Sequence, residues 1–273
     1  MDFFAEPLAQ AFMRRALLAG ATVGGACALV GVFIVQRGLS FLSDGLAHAT
    51  FGGIALGLLW GVAPDHAIWV ALPFTVAVAL GIGLVRRRSG LGGDVATGVF
   101  FAVAFALGIL FLGLRPAGGA PLNLEGLLFG SILAISPDVL LSLLAVVGAL
   151  VLVLGLAWPR LAYATFDAEL AALSGVPVAA LESLLLALTA VLVVAGVKTV
   201  GVVLVSSFVI IPAATAHLLG RSLAGIAALS AAFGVAGSVI GLLASYRLNV
   251  ASGATIILTL GAGFFLALLV RRR

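Results

Sequence analysis

The sequence predicts an all-α integral membrane protein, a polytopic bundle of about nine helical spans. Hydrophobic residues make up 63% of its 273 residues, charged residues only 9%, and the mean hydropathy is +1.34. A soluble domain carries about 25% charged residues, so this composition excludes a water-soluble fold. Since one span needs about 20 largely apolar residues, the chain has room for about eight to ten spans, and we expect residues 1–273 to form a single transmembrane domain.

Apolar runs separated by short polar connections define the expected spans. They lie at about residues 16–36, 41–60, 66–85, 95–114, 138–158, 180–197, 200–219, 222–244 and 252–270. The apolar stretch 122–135 is too short to cross a bilayer, so we expect a re-entrant or half-depth segment there. Residues 3–15 carry apolar side chains at helical spacing, which predicts a short helix in the membrane interface.

The basic residues indicate how the chain is oriented. The net charge of +4 comes with arginines in short clusters between apolar runs, a pattern of membrane topology rather than of nucleic-acid binding. With nine spans and an external amino terminus, Arg37, Arg160, Arg221 and the cluster 86–88 lie on the cytoplasmic side. The opposite orientation gives almost the same count of internal basic residues. The compact cluster 86–88 nevertheless favours the orientation with an external amino terminus. We therefore expect a multi-pass protein of the cell membrane with no nucleic-acid partner.

One acid and one imidazole lie inside the second expected span. Asp44 and His48 are four residues apart, so on a helix both side chains point from one face, one turn apart. Carboxylate oxygen and neutral imidazole nitrogen are suitable ligands for zinc, manganese or ferrous iron. The single cysteine, Cys27, has no partner, which excludes a cage of thiolates. Two ligands form an incomplete shell that water or Ser206 and Ser207 would complete, which suits a site that must release its ion.

The same pair also has a purely structural interpretation. Ser40 would cap the helix, and Asp44 would face the positive helix end or pair with Arg37. His48 would then donate a hydrogen bond to a neighbouring carbonyl group. The sequence leaves this alternative open, although ionisable residues inside a span are functional candidates by default. His66, in an expected external loop, is a weaker candidate for gathering metal at the mouth of a path.

Residues 43–53, SDGLAHATFGG, resemble the signature S-D-A-x-S-H-A-x-x-P-G of the permease subunits of ABC importers for zinc, manganese and iron. Asp44, His48 and Gly53 match this signature. Ala47 replaces the family's usual serine and Gly52 its usual proline. The resemblance therefore assigns Asp44 and His48 to the ion path but implies neither a hydroxyl contact at position 47 nor a proline kink at position 52.

A second and more specific match covers residues 198–216, KTVGVVLVSSFVIIPAATA, which are similar to the family block K-x-V-G-x-L-L-V-x-x-L-L-I-I-P-A-A-T-A. The resemblance extends over nearly the whole chain. Pro212 removes one backbone donor inside a span, so we expect a bend and a freed carbonyl group there. Such a bend, preceded by Ser206 and Ser207, can line an ion path, and a bend that serves only packing is the alternative.

The connection 158–182 contains the pattern of a short capped helix. Asp167 suits the N-cap position, Leu170 and Leu173 form a small apolar face, and Gly175 ends the helix. An ordinary loop helix would show the same pattern. In the resembling family, this region is the coupling segment that contacts the ATPase subunit. The resemblance thus assigns to ATPase coupling the residues Phe166, Asp167, Glu169, Leu170, Leu173 and Gly175.

Absent motifs bear on the energy source. The chain lacks the phosphate-binding loop G-x-x-x-x-G-K-[ST], so it has no ATP-hydrolysing site of that type. It also lacks H-E-x-x-H and G-x-S-x-G, so we expect no enzyme activity in this chain.

The resemblance implies a permease domain that imports a divalent transition metal ion, zinc, manganese or iron. It implies three protein partners, namely a second permease copy, a cytoplasmic ABC ATPase subunit and an external metal-binding protein. It implies no permanently bound cofactor, only the transported ion. Two rivals stay open. One is a proton-coupled secondary metal transporter with Glu125 as an additional relay, and the other is an importer of a chelate such as a siderophore or corrinoid.

Overall fold

The computed structural model describes residues 9–115 and 132–271, and the regular structure in these ranges is entirely helical. A short 3-10 turn at Ile132–Ala134 precedes the fifth helix. In chain order the helices are α1 (Ala11–Gln36), α2 (Leu42–Leu59), α3 (Ile68–Ser89), α4 (Gly93–Gly113), α5 (Pro137–Phe166), α6 (Ala168–Leu173), α7 (Val178–Val200), α8 (Val202–Leu219), α9 (Leu223–Leu248) and α10 (Ser252–Arg271).

Nine helices in the described part of the chain are long and apolar enough to cross a membrane, and α6 is the helix that is not among them. This confirms the predicted fold class. Most helix bounds lie within a few residues of the expected spans, but α5 continues to Phe166 instead of ending at Trp158. Hydropathy detects the part of a helix that lipid can cover, and the last two turns of α5 come after the apolar run has ended.

The start of the chain differs from the expectation. The helix α1 begins at Ala11 and runs on without a break, so residues 11–15 belong to the first span rather than to a separate interfacial helix. Met13 and Ala16 are fully buried in the bundle while Ala11 and Arg14 are exposed, so one face of this part packs against the other helices. Residues 3–8 of the expected interfacial helix and residues 122–131 of the expected re-entrant segment, including Glu125, lie outside the described residues.

Helix α1 lies at the centre of one half of the bundle, because its small residues allow close approach of two neighbours. A Cβ atom at Gly24 would lie 2.7 Å from the Gly234 carbonyl oxygen of α9. One turn further along α1, the Ser230 hydroxyl donates to the Ala28 carbonyl oxygen at 2.8 Å. Lipid gives helices no hydrophobic drive to associate, so close packing and interhelical hydrogen bonds of this kind hold the spans together.

Helix α2 is the centre of the other half. It runs antiparallel to α3, with Gly53 against the backbone of Ala71, and parallel to α4, with Gly52 against the carbonyl oxygen of Ala104. A Cβ atom at either glycine would lie 2.6 Å from the opposing backbone. These contacts fix the depth and rotation of α2 relative to both neighbours.

The alternating direction of the spans brings the arginines predicted to be internal to one end of the bundle. Arg86, at the end of α3, pairs with Glu182, near the start of α7, at 3.0 Å. Arg37, at the end of α1, donates to Thr165 at the end of α5. We call this the basic end, defined by Arg37, Arg86, Arg87 and α6. The positive-inside rule places it in the cytoplasm.

Replacing Gly24 by alanine should destabilise the bundle, since the added methyl group meets the backbone of α9 and overpacking of this kind costs about 1–3 kcal/mol. The expected result is a lower thermal unfolding midpoint in detergent. Gly98→Ala on α4 is the matched control, because a Cβ atom there meets nothing within 4 Å. Equal midpoints for both variants would contradict the close α1–α9 contact.

Candidate functional site

Asp44 and His48 lie on successive turns of α2, near its amino-terminal end. Asp44 is in the first turn, where the positive end of the helix dipole favours a carboxylate. Two parts of the structural alternative are not formed. Phe41, not Ser40, precedes the helix, and no side chain caps it. Arg37 donates to Thr165 rather than pairing with Asp44. The acid is therefore not neutralised by that arginine.

The ring of His48 is held by the backbone of its own helix. Its Nδ1 atom lies 2.9 Å from the Asp44 carbonyl oxygen. A carbonyl oxygen only accepts hydrogen bonds, so this contact assigns the proton to Nδ1. In the neutral ring, Nε2 then carries a free lone pair. This is the arrangement in which a histidine binds a metal ion through Nε2 while its other nitrogen is oriented by a hydrogen bond.

The Asp44 carboxylate lies beside the ring and reaches a second helix. Its Oδ1 atom is 3.7 Å from His48 Nδ1 and 3.4 Å from the hydroxyl oxygen of Ser206 on α8. The Ser206 hydroxyl is also 3.3 Å from the Val202 carbonyl oxygen, so its one proton is shared between two acceptors. The carboxylate thus keeps acceptor capacity for an ion, with a hydroxyl group next to it.

The structure separates the two predicted serines. Ser206 contacts Asp44, whereas the Ser207 hydroxyl donates to the Val203 carbonyl oxygen of its own helix at 2.8 Å. Pro212 is buried further along α8, which continues as one helix to Leu219. The path-lining role of Ser206, Ser207 and Pro212 stays a prediction.

The described residues hold no group of three histidine, cysteine, aspartate or glutamate side chains close enough to share a metal ion. Asp44 and His48 therefore supply at most two such ligands. In this conformation the ring nitrogen nearest the carboxylate is Nδ1, which is already bonded to the backbone. An ion that binds Nε2 approaches from another side of the ring, so a complete shell needs water, a hydroxyl group or a second copy.

The short helix α6 lies at the basic end, as the sequence predicts. Asp167 is its N-cap and accepts from the Leu170 backbone N–H at 2.8 Å. Gly175 ends the turn with a φ of +79°, a value that suits glycine. The apolar side chains of Phe166, Leu170 and Leu173 are 65%, 51% and 85% exposed. Phe166 is the last residue of α5, and Leu170 and Leu173 belong to α6, so the three form an exposed apolar surface around the α5–α6 junction.

Sequence reasoning missed the contacts that join the end of α5, just before α6, to the α1–α2 connection. Arg37 donates from Nε and Nη2 to the Thr165 hydroxyl oxygen at 3.0 and 2.8 Å, two residues before the α6 cap. Burial lowers the pKa of the Arg37 guanidinium, while the nearby Glu182 carboxylate raises it. Thr165 lies far from Arg37 in the chain, and one threonine in a helix gives no signal of such a partner.

The fold and these residues can be compared with known proteins. The chain matches the family model of the ABC 3 transport family over residues 9–271. It is 35% identical over 268 residues to the manganese transport system membrane protein MntC of Listeria monocytogenes, covering 97% of this chain and 93% of that protein. It is 33% identical over 249 residues to the manganese import system permease protein ScaB of Streptococcus gordonii, covering 91% and 87%.

A solved structure has the same fold. PsaBC from Streptococcus pneumoniae, in complex with Fab, aligns with a TM-score of 0.83 at 32% identity, covering 97% of this chain and 94% of that chain. The nine helices of the described residues that are long and apolar enough to cross a membrane define a multi-pass membrane protein. The chain belongs to the ABC 3 transport family, which confirms the resemblance found in the sequence, and it is a permease of the bacterial membrane.

Substitution of His48 by asparagine distinguishes the role of Nδ1 from that of Nε2. The asparagine amide can still donate to the Asp44 carbonyl oxygen, but it has no atom in place of Nε2. The expected result is an unchanged thermal unfolding midpoint together with loss of Mn²⁺ binding, measured by equilibrium dialysis of the purified protein. Retained binding would show that Nε2 is not a ligand.

Proposed function

We propose that the whole chain acts as one permease domain that moves a divalent transition metal ion, foremost Mn²⁺, into the cytoplasm. The observation that carries the proposal is the pair on α2, where Asp44 keeps a carboxylate and His48 an Nε2 lone pair available. An acid and an imidazole in a span are costly in lipid, and such residues generally mark an ion pathway.

The choice of ion follows from the donor atoms and the relatives together. One carboxylate oxygen and one imidazole nitrogen suit manganese, zinc and ferrous iron, and intrinsic affinity alone does not select among them. The relatives MntC and ScaB are named for manganese transport and import, which supports Mn²⁺ as the first ion to test. Few protein ligands also suit transport, because the ion must leave the site again.

Three partners follow for a permease of this family. An ABC ATPase subunit would dock at the basic end, where Phe166 at the end of α5 and Leu170 and Leu173 of α6 are exposed. An external metal-binding protein would deliver the ion at the opposite end, where His66 is exposed. A second permease copy would provide further ligands for the incomplete shell around Asp44 and His48.

A chain of contacts connects the proposed docking surface to the ion site. Movement of α6 acts on the end of α5, where the Thr165 hydroxyl holds Arg37 through two hydrogen bonds. Arg37 lies in the short connection between α1 and α2, directly before the helix that carries Asp44 and His48. ATP-driven movement of the ATPase subunits would thus tilt α2 and expose the pair alternately to each side of the membrane.

The direct test is metal uptake by vesicles that contain this chain, a partner ATPase and an external binding protein. Mn²⁺ should accumulate with ATP and not in its absence, and a pH gradient without ATP should drive no uptake. Uptake by the chain alone under a pH gradient would instead support a proton-coupled transporter. Failure of free Mn²⁺, Zn²⁺ and Fe²⁺ to accumulate, with uptake of a metal chelate, would support the chelate importer.

Replacing Leu173 by serine should weaken ATPase docking, since this side chain is 85% exposed on α6 and burial of a leucine side chain contributes about 1.5–3 kcal/mol. Co-purification of the ATPase with the permease should therefore fall at least about tenfold. Leu248→Ser is the control, because Leu248 is 68% exposed at the opposite end of the bundle. Equal losses for both variants would argue against α6 as the docking element.

Replacing Thr165 by valine tests the connection to α2. The change removes the acceptor of Arg37, and hydrogen bonds to charged groups contribute about 1.5–3 kcal/mol, so uptake should fall roughly tenfold. ATPase co-purification should be unchanged, which separates coupling from docking. Thr259→Val on α10 is the control. The Thr165 hydroxyl donates to the Leu161 carbonyl oxygen of its own helix, and the Thr259 hydroxyl likewise donates to the Thr255 carbonyl oxygen at 2.8 Å. Normal uptake by the Thr165→Val protein would show that the Thr165–Arg37 contact does not couple α6 to α2.

A further inference from the structure

Two aromatic side chains of α4 contact the ring of His48, and the proposed transport steps make no use of them. The Phe101 ring stands nearly perpendicular to the imidazole, with ring centroids 4.8 Å apart and an interplanar angle of 85°. The Phe105 ring makes a similar contact at 5.8 Å and 75°. Phe101 and Phe105 stack on each other with centroids 6.1 Å apart. We call these two rings the aromatic wall.

Contacts from α2 and from the residue just before it support the aromatic wall on its other sides. Phe105 packs against Phe51 with ring centroids 5.5 Å apart, and Phe101 packs against Phe41 at 6.1 Å. The close approach of α2 and α4 at Gly52 fixes the register of the two helices. The wall is therefore a part of the α2–α4 packing rather than two freely moving side chains.

The imidazole of His48 is thus constrained from two directions. Its Nδ1–H is bonded to the Asp44 carbonyl oxygen, and its ring packs edge-to-face against the aromatic wall. The χ2 torsion of histidine is broad, so a single hydrogen bond leaves the ring considerable freedom. Edge-to-face contacts favour one orientation of the ring. The wall therefore stabilises the orientation in which Nε2 is the free nitrogen.

We propose that Phe101 and Phe105 are positioning residues that hold His48 Nε2 in its metal-binding orientation and thereby make the site selective for transition metals over Ca²⁺. This inference rests on the proposed function of Asp44 and His48. Imidazole nitrogen is a ligand for Mn²⁺ and Zn²⁺, whereas Ca²⁺ takes oxygen ligands. The other candidate donors nearby, the Asp44 carboxylate and the Ser206 hydroxyl group, offer oxygen only. A turned His48 ring lowers affinity for Mn²⁺ and leaves affinity for Ca²⁺ unchanged.

The test measures Mn²⁺ and Ca²⁺ binding by equilibrium dialysis of the permease assembled with its ATPase in lipid nanodiscs. The double variant Phe101→Leu, Phe105→Leu keeps apolar side chains but removes both rings. Its Kd for Mn²⁺ should rise about tenfold, while its Kd for Ca²⁺ changes less than about twofold, so the selectivity ratio falls. Phe101→Tyr, which keeps the ring, should retain the Mn²⁺ affinity of the unchanged protein.

Phe100→Leu is the matched control. Phe100 is the neighbour of Phe101 on α4, but its ring lies against Gly81 of α3, where a Cβ atom would be 2.8 Å from Phe100 Cε1. This variant should leave both Kd values unchanged. Equal weakening of Mn²⁺ and Ca²⁺ binding by the double variant, or a similar effect of Phe100→Leu, would indicate a general packing defect and overturn the proposal.

The His48→Asn variant distinguishes a failure of this inference from a failure of the proposed function. If His48→Asn loses Mn²⁺ binding and the double phenylalanine variant binds Mn²⁺ normally, the aromatic wall has no positioning role and this inference alone is wrong. If His48→Asn binds Mn²⁺ as tightly as the unchanged protein, His48 is not a ligand. The proposed function of the pair is then wrong, and the inference falls with it.

Discussion

The hydrogen bond from His48 Nδ1 to the Asp44 carbonyl oxygen decides which atoms of the site remain free. It uses one ring nitrogen and a backbone oxygen, and so leaves Nε2 and the Asp44 carboxylate for an ion. Buried polar groups in a span must be satisfied, and here the helix itself satisfies one nitrogen. The structural interpretation of His48 as a donor to a carbonyl group and its interpretation as a ligand are therefore compatible, since they concern different nitrogens.

Close helix packing determines where this pair lies and what it can respond to. The glycines of α2 set its approach to α3 and α4, and Ser206 brings α8 to the carboxylate. At the basic end, Glu182 joins α3 to α7 and Arg37 joins the α1–α2 connection to α5. A displacement of α6 thus has a route through contacting side chains to α2. Discrete contacts of this kind are the physical basis on which two sites can be coupled.

Features that depend on neighbouring residues were predictable from the amino-acid sequence. Runs of apolar residues located the spans, and the four-residue spacing placed Asp44 and His48 on one face. The Asp167 cap and the Gly175 turn bound α6 where expected, because caps and positive φ values are local properties of the chain. The α5 extension past Trp158 escaped the hydropathy pattern, because that pattern records lipid contact rather than helix length.

Contacts between distant residues could not be predicted in this way. Thr165 and Glu182 acquire their partners only when helices far apart in the sequence meet. Phe101 and Phe105 look like any aromatic residues in an apolar span, and their position beside His48 depends on the parallel packing of α2 and α4. Ser206 and Ser207 are adjacent in sequence but point in different directions from α8. Ser206 therefore reaches Asp44, whereas Ser207 does not.

Pulsed electron paramagnetic resonance of the Mn²⁺-loaded transporter tests the central claim most directly. If Mn²⁺ binds His48 through Nε2, the spectra should show coupling to an imidazole nitrogen, and selective ¹⁵N labelling of histidine should change that coupling. In the His48→Asn protein the coupling should be absent. Imidazole coupling that persists in His48→Asn, or none in the unchanged protein, would contradict the assignment of Nε2 as a metal ligand.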